Sequence, residues 1–561
     1  LSRSRTILAS LAACSLAVAT AGCGGGSSSS TSTSSGPTGS HKGGTFTALY
    51  SGVGTSIDPA IDYDQNWNLL VMDYDGLVAW KRVSGAQSIQ LTPDLATNLP
   101  TPTDGGKTYV FHMRPGIKFS NGQVVKPSDV TATIEREFKA GGPGGNFYSQ
   151  IVGADKCGKT CDLSKGVVAD NANNTVTFHL SSPDPQLLVQ LALPFAYVVP
   201  ANSPDKDSGV HALPGTGPYT ISSYTPTQQM VFTRNPYFHQ WSKLAQPAGN
   251  PDKILVKIGT PLEEAVTEVE HDQADWMEDS PPSDRLNEIA TQYTSQLHVN
   301  PTQQLFYMSL DVRTPPFNNL KVRQAVNYAT DRGAVIKLWG GPGVALPVCQ
   351  MLPPNFPSYK PYCPYTKNPG TTWTAPDVAK AKQLIAQSGT KGQTVSVIVN
   401  NDTTSKEIGQ YFVSLLDSLG YKARLKPFAA SVEYSVAQNS SQNPQMTLSY
   451  WYPDYPDPAD FFDIVYGCNG FHPNSNASPN LSEFCDAAVQ KKTEQALTAE
   501  DTSFAAAAPL WTAIDKRVTD LAPQISLFVP KNLVFVSKRV GNVEYANSVT
   551  GQFMVDQATV N

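Results

Sequence analysis

Residues 451–458 read Trp-Tyr-Pro-Asp-Tyr-Pro-Asp-Pro. Two carboxylates, Asp454 and Asp457, stand among Trp451, Tyr452 and Tyr455 on a loop stiffened by three prolines. The chemistry open to such a set is recognition. Aromatic faces offer stacking area, and a desolvated carboxylate is costly unless a cation pairs with it. Met446, Leu448 and Tyr450 alternate just before, so a strand delivers the loop. In open α/β sheets ligands bind outside the carboxyl ends of strands, which makes this the best ligand-site candidate in the chain. A solvated turn with packed aromatics would give the same pattern.

Other motifs fail on their context. Gly153-Ala-Asp-Lys-Cys157-Gly158-Lys159-Thr160 matches a phosphate-loop pattern to the letter. That loop works by delivering a Gly-rich turn onto a helix N-terminus. Here residues 161–166 carry no helical apolar period. Asp62, Asp64 and Asn66 begin like a calcium loop, but Trp67 stands at the sixth position, where the sharp turn needs Gly. The eight His are never three to five residues apart and no C-x2-C occurs, so zinc spacing is missing. H-E-x-x-H and G-x-S-x-G are also missing. The spacing speaks against a metal site, while a hydrolase with residues scattered along the sequence stays open.

The chain opens with Arg3 and Arg5, then runs uncharged from Thr6 to Ala21. This is the pattern of a secretory signal. Thr20-Ala21-Gly22-Cys23, followed by a Gly/Ser/Thr-rich run to Ser40, resembles a bacterial lipoprotein signal. The expectation is a signal at 1–22, lipid attachment at Cys23 and a tether over 23–42. Leu11-Ala12-Ala13-Cys14 fits the residue types better but leaves a very short apolar region. An ordinary cleaved signal with a chance Cys is the plainer alternative. Six further Cys fall in three close pairs: 157 and 161, 349 and 363, 468 and 485. Six Cys allow 15 connectivities, and an envelope location favours disulfides, with pairing by proximity the simplest choice.

These features need a scaffold. The chain has 561 residues, 16% of them charged against about 25% in an average protein, and a net charge of −6. Low charge argues against disorder, and an acidic balance argues against a nucleic-acid surface. Residues 43–50, Thr108 to Met113 and Thr175 to Leu180 read as strands, and the region to about 260 as strand-rich. Leu187 to Val199 reads as a buried strand or loop. Thr394 to Val399 alternates as a strand. Ile408, Tyr411, Phe412, Leu415, Leu416 and Leu419 then form one helical face, with Gly420 as its stop. Tyr421, Ala423 and Leu425 alternate again, completing a βαβ unit. Asp377 to Ser388 reads as another helix, stopped by Gly389.

An ordered set of stretches resembles the extracytoplasmic solute-binding proteins of the peptide/nickel class, family 5, which serve ABC importers. It runs from Gly43-Gly-Thr-Phe-Thr, Ser56-Ile-Asp58-Pro59 and Tyr74-Asp-Gly-Leu-Val78 through Leu91-Thr-Pro-Asp-Leu-Ala96 and 109–122. It continues through Gly215-Thr-Gly-Pro-Tyr219, Arg234-Asn-Pro-Tyr237, 322–332, Tyr455-Pro-Asp-Pro458 and 536–542. The resemblance implies an α/β, two-lobed periplasmic-binding-protein-like fold of type II, with an extra subdomain in lobe I. Lobe I would be 43–265 with the subdomain at about 86–210, lobe II 266–519, and 520–561 would return to lobe I. Gln304 to Val312 and the segment near Pro523 would lie at the hinge.

The implied function is capture of short peptides and delivery to ABC permease subunits, by a protein that is not an enzyme and takes no cofactor and no metal. The protein would be a monomer, lipid-anchored at the extracytoplasmic face. The same fold could instead hold a metal chelate, an oligosaccharide or an opine-like molecule, and an envelope sensor or enzyme is a distant alternative. In peptide-binding members an Asp at the position of Asp454 pairs with the ligand's α-ammonium. Trp451, Tyr452 and Tyr455 would line the pocket, and Tyr50 and Ser51 would offer main-chain contacts from lobe I. Arg313 is the candidate for a ligand carboxylate.

Overall fold

The computed structural model describes residues 42–561 apart from 64, 65, 283, 501, 502 and 548–551. The signal, Cys14, Cys23, the tether and Asp64 therefore lie outside the described residues. Twelve strands make one mixed sheet. Its spatial order is Lys422–Phe428, Thr394–Asn400, Met446–Trp451, Leu305–Leu310, Gln524–Val536, Trp276–Met277, Thr45–Tyr50, Lys253–Ile258, Gln229–Arg234 and Tyr219–Thr225. Leu297–Pro301 and Ala345–Pro347 also pair with Gln524–Val536.

That long strand links the two ends of the sheet. Its first residues pair with Leu305–Leu310, as in Ser309 with Gln524 and Phe306 with Phe528. Its last pair with Leu297–Pro301, as in Pro301 with Lys531 and Leu297 with Phe535. Residues 297–310 thus run antiparallel beside 524–535 as one ladder, interrupted at Thr302, Gln303 and Gln304. Separate cores lie on either side of that break. One is built from residues of 46–258 with Trp276, residues of 534–558 and, from the second half, Tyr455. Two others gather residues 305–529. Ile525 and Leu527 pack with the second group, whereas Phe535 packs with Leu49 and Val266. The expected boundary at 265/266 falls inside the helix Leu262–Glu270.

The βαβ unit is present as strand Thr394–Asn400, helix Thr403–Ser418 and strand Lys422–Phe428, the strands parallel. Asp402 starts the helix by accepting the Ser405 N–H at 2.9 Å. Ile408, Phe412 and Leu416 are buried against the sheet. Gly420 follows the helix at φ +97°, where a side chain would be strained. The helix Val378–Ser388 is capped by Asp377 and stopped by Gly389.

Two first-half expectations change. Residues 187–199 hold a short helix, Leu187–Gln190, and a 3-10 turn, Pro194–Ala196, that runs into a buried loop, so the loop stands and the strand does not. The strand-rich region also holds a 14-residue helix, Pro127–Ala140, packed beside the three-stranded sheet Thr108–His112, Thr175–His179, Val167–Asp170. Buried Arg136 on this helix grips Asp58 through both terminal nitrogens, one at 2.8 Å. Asp58 also accepts the N–H groups of Ala60 and Ser208, so its role is to anchor the loop after the first strand. Disulfides join Cys157 to Cys161, Cys349 to Cys363 and Cys468 to Cys485. The phosphate-loop match is a short 3-10 turn, Ala154–Lys156, running into the first disulfide. Among the described residues no helix is long and apolar enough to cross a membrane, and no cluster of potential metal ligands occurs.

Candidate functional site

Thr394–Asn400, Lys422–Phe428 and Met446–Trp451 point their carboxyl ends the same way, being parallel neighbours. The segments leaving these strands therefore meet at one edge of the sheet. Asn400, the helix Ala430–Gln438, and Trp451 through Asp454 all line one cavity of about 420 Å³. The opposite wall comes from the first half, from Tyr63 and Trp67. Those rings lie 5.7 Å apart, and Trp67 packs edge-on against Phe195. A second cavity of about 650 Å³ shares Trp451 and Asp454. Phe147, Asp184 and Gln186 wall it from the first half, Tyr455 and Asp463 from the second.

Asp454 is half-buried between the two cavities. The Tyr63 hydroxyl donates to its Oδ1 at 2.5 Å. Its backbone N–H donates to Asp460 Oδ2 at 3.2 Å, and the Trp451 indole N–H donates to the same oxygen at 2.7 Å. Asp460 is fully buried, and burial with the nearby Asp454 charge pushes its carboxyl well above the usual range. It fixes the loop that presents Asp454 and Trp451. Asp457 shapes the turn by accepting the Ala459 N–H at 2.9 Å, and burial pushes it up to about 7. A second link across the cleft joins Gln186 Nε2 to Glu500 Oε2 at 2.5 Å.

The expected residues fare unequally in this geometry. Trp451, Tyr452 and Asp454 line the first cavity, and Tyr455 lines the second. Tyr50 and Ser51 line neither. Tyr50 is buried against Trp276 and its hydroxyl accepts from Asn68 at 3.1 Å. The Ser51 N–H and hydroxyl are both taken by Asp279. Arg313 also stands outside both cavities, stacked over Phe471 at 4.2 Å and bonded to the Glu483 carbonyl. Glu433, Asn400, Tyr63, Trp67 and Asp460 were not expected at the site. Asn400 and Glu433 come after strands that were legible, so the carboxyl-end rule would have reached them. Tyr63 and Trp67 sit in the stretch after the first strand, which carries no such signal.

Residues 90–473 match the model of the bacterial extracellular solute-binding proteins, family 5 middle. The chain belongs to this family. It is 25% identical over 426 residues to di/tripeptide-binding protein 1 of Pseudomonas aeruginosa, covering 71% of this chain and 74% of the relative. It is 26% identical over 494 residues to a dipeptide-binding protein of the same species, covering 82% and 85%. Among solved structures, clavulanic acid biosynthesis oligopeptide-binding protein 2 superposes with a TM-score of 0.83 at 22% identity, over 93% of this chain and 96% of that one. The Escherichia coli murein tripeptide-binding protein gives 0.69 at 19%, over 93% and 99%. The fold is the two-lobed α/β periplasmic-binding-protein-like fold. In this family-5 solute-binding protein the cavities therefore lie in a cleft of a fold characteristic of non-catalytic capture of extracytoplasmic solutes.

Proposed function

We propose that this protein captures short peptides between its lobes and delivers them to the membrane permease of an ABC importer. One observation carries the reading: the Asp454 carboxylate sits in an aromatic cavity walled by both halves of the chain. A carboxylate so placed favours a cation, and every free peptide supplies one as its α-ammonium. Aromatic walls suit varied side chains, and main-chain groups at the strand ends suit a peptide backbone. The names of relatives, di/tripeptide- and dipeptide-binding, point the same way. Lipid attachment at Cys23 and action as a monomer complete the proposal.

We assign lobe I to about 43–301 with the subdomain at 86–210, lobe II to about 305–528, and the C-terminal return to about 529–561. The crossings lie at 302–304 and near 529, where the ladder breaks and the cores change sides. This moves the boundary from 265/266 because the helix Leu262–Glu270 packs on Leu49 and Phe535. The test is to purify the protein from Gly24 onward and identify the molecules that co-purify by mass spectrometry. A mixture of short peptides is expected. A single sugar, opine or metal complex overturns the reading.

A further inference from the structure

Glu433 is the fourth residue of the helix Ala430–Gln438 and only 5% exposed. Its neighbour Val432 is 47% exposed. The helix thus turns a carboxylate inward and an apolar side chain outward, the reverse of the arrangement that burial energetics favours. A first-turn acid favours the helix dipole, but that gain needs no burial. Glu433 Oε1 has no hydrogen-bond partner, and neither does the buried Oδ1 of Asn400. Both residues line the same cavity. No Lys, Arg or His lines it among the described residues. Burial alone pushes Glu433 up to about 7, so no neighbouring charge compensates it.

A buried acceptor left unpaired costs about 1–3 kcal/mol, more when charged. Two such acceptors on residues that line one cavity are a cost that a ligand can remove. An ammonium or guanidinium carries only donors, several per group, and so answers both. Asp454 already provides for the ligand's terminal ammonium. We propose that Glu433 and Asn400 form a second, separate cation subsite, which selects peptides bearing Lys or Arg at the first or second position. The inference rests on the peptide reading of the cleft, and adds a preference which that reading does not require.

The test is calorimetry at pH 8 with the intact chain from Gly24. The probes are Lys-Ala-Ala and Ala-Lys-Ala against their norleucine counterparts, which keep the carbon stem and drop the charge, with Ala-Ala-Ala as reference. At one of the two positions lysine binds at least tenfold tighter than norleucine. Glu433→Gln removes that preference. Equal wild-type affinities for lysine and norleucine at both positions overturn the subsite, even while Ala-Ala-Ala binding upholds peptide capture. A preference that survives Glu433→Gln overturns it too. Agmatine separates the two readings if no peptide binds. Agmatine binding by wild type and not by Glu433→Gln keeps the subsite while peptide capture fails, and no agmatine binding removes both. The wild-type comparison needs no variant to fold.

Discussion

Asp454→Asn keeps the side chain's volume and its acceptor toward Tyr63 while deleting the charge. The Tyr63 hydroxyl at 2.5 Å and the Asp454 N–H on Asp460 at 3.2 Å both survive the change, so the loop stays in place. The pairing with a ligand cation is lost. Truncating one partner of a desolvated charge pair costs about 2–5 kcal/mol. Asp454 is only half-buried, so the lower end applies, about 2–3 kcal/mol or roughly 30- to 150-fold in Kd. The assay is a double-mutant cycle by calorimetry, with Ala-Ala-Ala and its N-acetylated form against wild type and Asp454→Asn. Acetylation removes the ammonium that Asp454 meets. In wild type it costs about as much as the mutation, and in the variant it costs little. The coupling energy is then about 2 kcal/mol. A coupling below about 0.5 kcal/mol, within ordinary additivity error, would refute the pairing however much affinity each change loses alone.

Glu433 gives a pH signature in the unliganded protein. Its folded value of about 7 exceeds the unfolded 4.5, so its contribution is full below about 4.5 and is lost as pH rises through 7. Glu433→Gln escapes that loss, so its stability in urea relative to wild type improves by about 2 kcal/mol between pH 5 and pH 8, and a pH-independent difference refutes the burial argument. Asp58→Ala strands buried Arg136 and lowers stability by about 3–5 kcal/mol in the same melts; a loss under about 1 kcal/mol would mean the pair is dispensable. Replacing both Cys349 and Cys363 by Ser, across 14 residues, costs about 3 kcal/mol, whereas replacing Cys157 and Cys161, across 4, costs about 2. The reverse order would contradict loop-closure entropy as the cause. Cys23→Ala releases the protein from membranes in fractionation, and retained lipid labelling would point to Cys14.

The second half was legible because its signals are local. Alternation at 394–399, the helical face from Ile408 and the stops at Gly389 and Gly420 each need only neighbours in sequence. The loop holding Asp454 was legible because Pro and aromatic residues mark it, whereas the choice of Asp454 over Asp457 rested on the family resemblance. The helix Pro127–Ala140 was hidden because three of its buried residues, Asp129, Arg136 and Glu137, are charged. Their burial depends on partners elsewhere in the chain, among them Asp58 and the Ala201 N–H. Tyr50 and Ser51 looked suitable because they end the first strand. Yet Asp279 already occupies the Ser51 donors, a pairing 228 residues distant that no local pattern reveals. The proposed shift of the lobe boundary has the same origin. It depends on which core Val266 and Ile525 join, and that is decided by strand order rather than by sequence distance.

The two subsites bear differently on closure. A ligand shifts the lobes only as far as it binds the closed arrangement better than the open one. Glu433 and Asn400 both belong to the second half, so a cation held there alone can bind without drawing the first half in. Asp454 also belongs to the second half, but Tyr63 reaches it from the first. An ammonium held at Asp454, as proposed, would sit beside the Tyr63 contact, with Trp67 and Phe147 on the first-half walls of the two cavities. On the proposed subsites, affinity would be raised at Glu433 while the response of the lobes would be governed at Asp454. A cation too small to span the cleft, such as agmatine, would then bind without closing it, whereas a peptide anchored at Asp454 would do both.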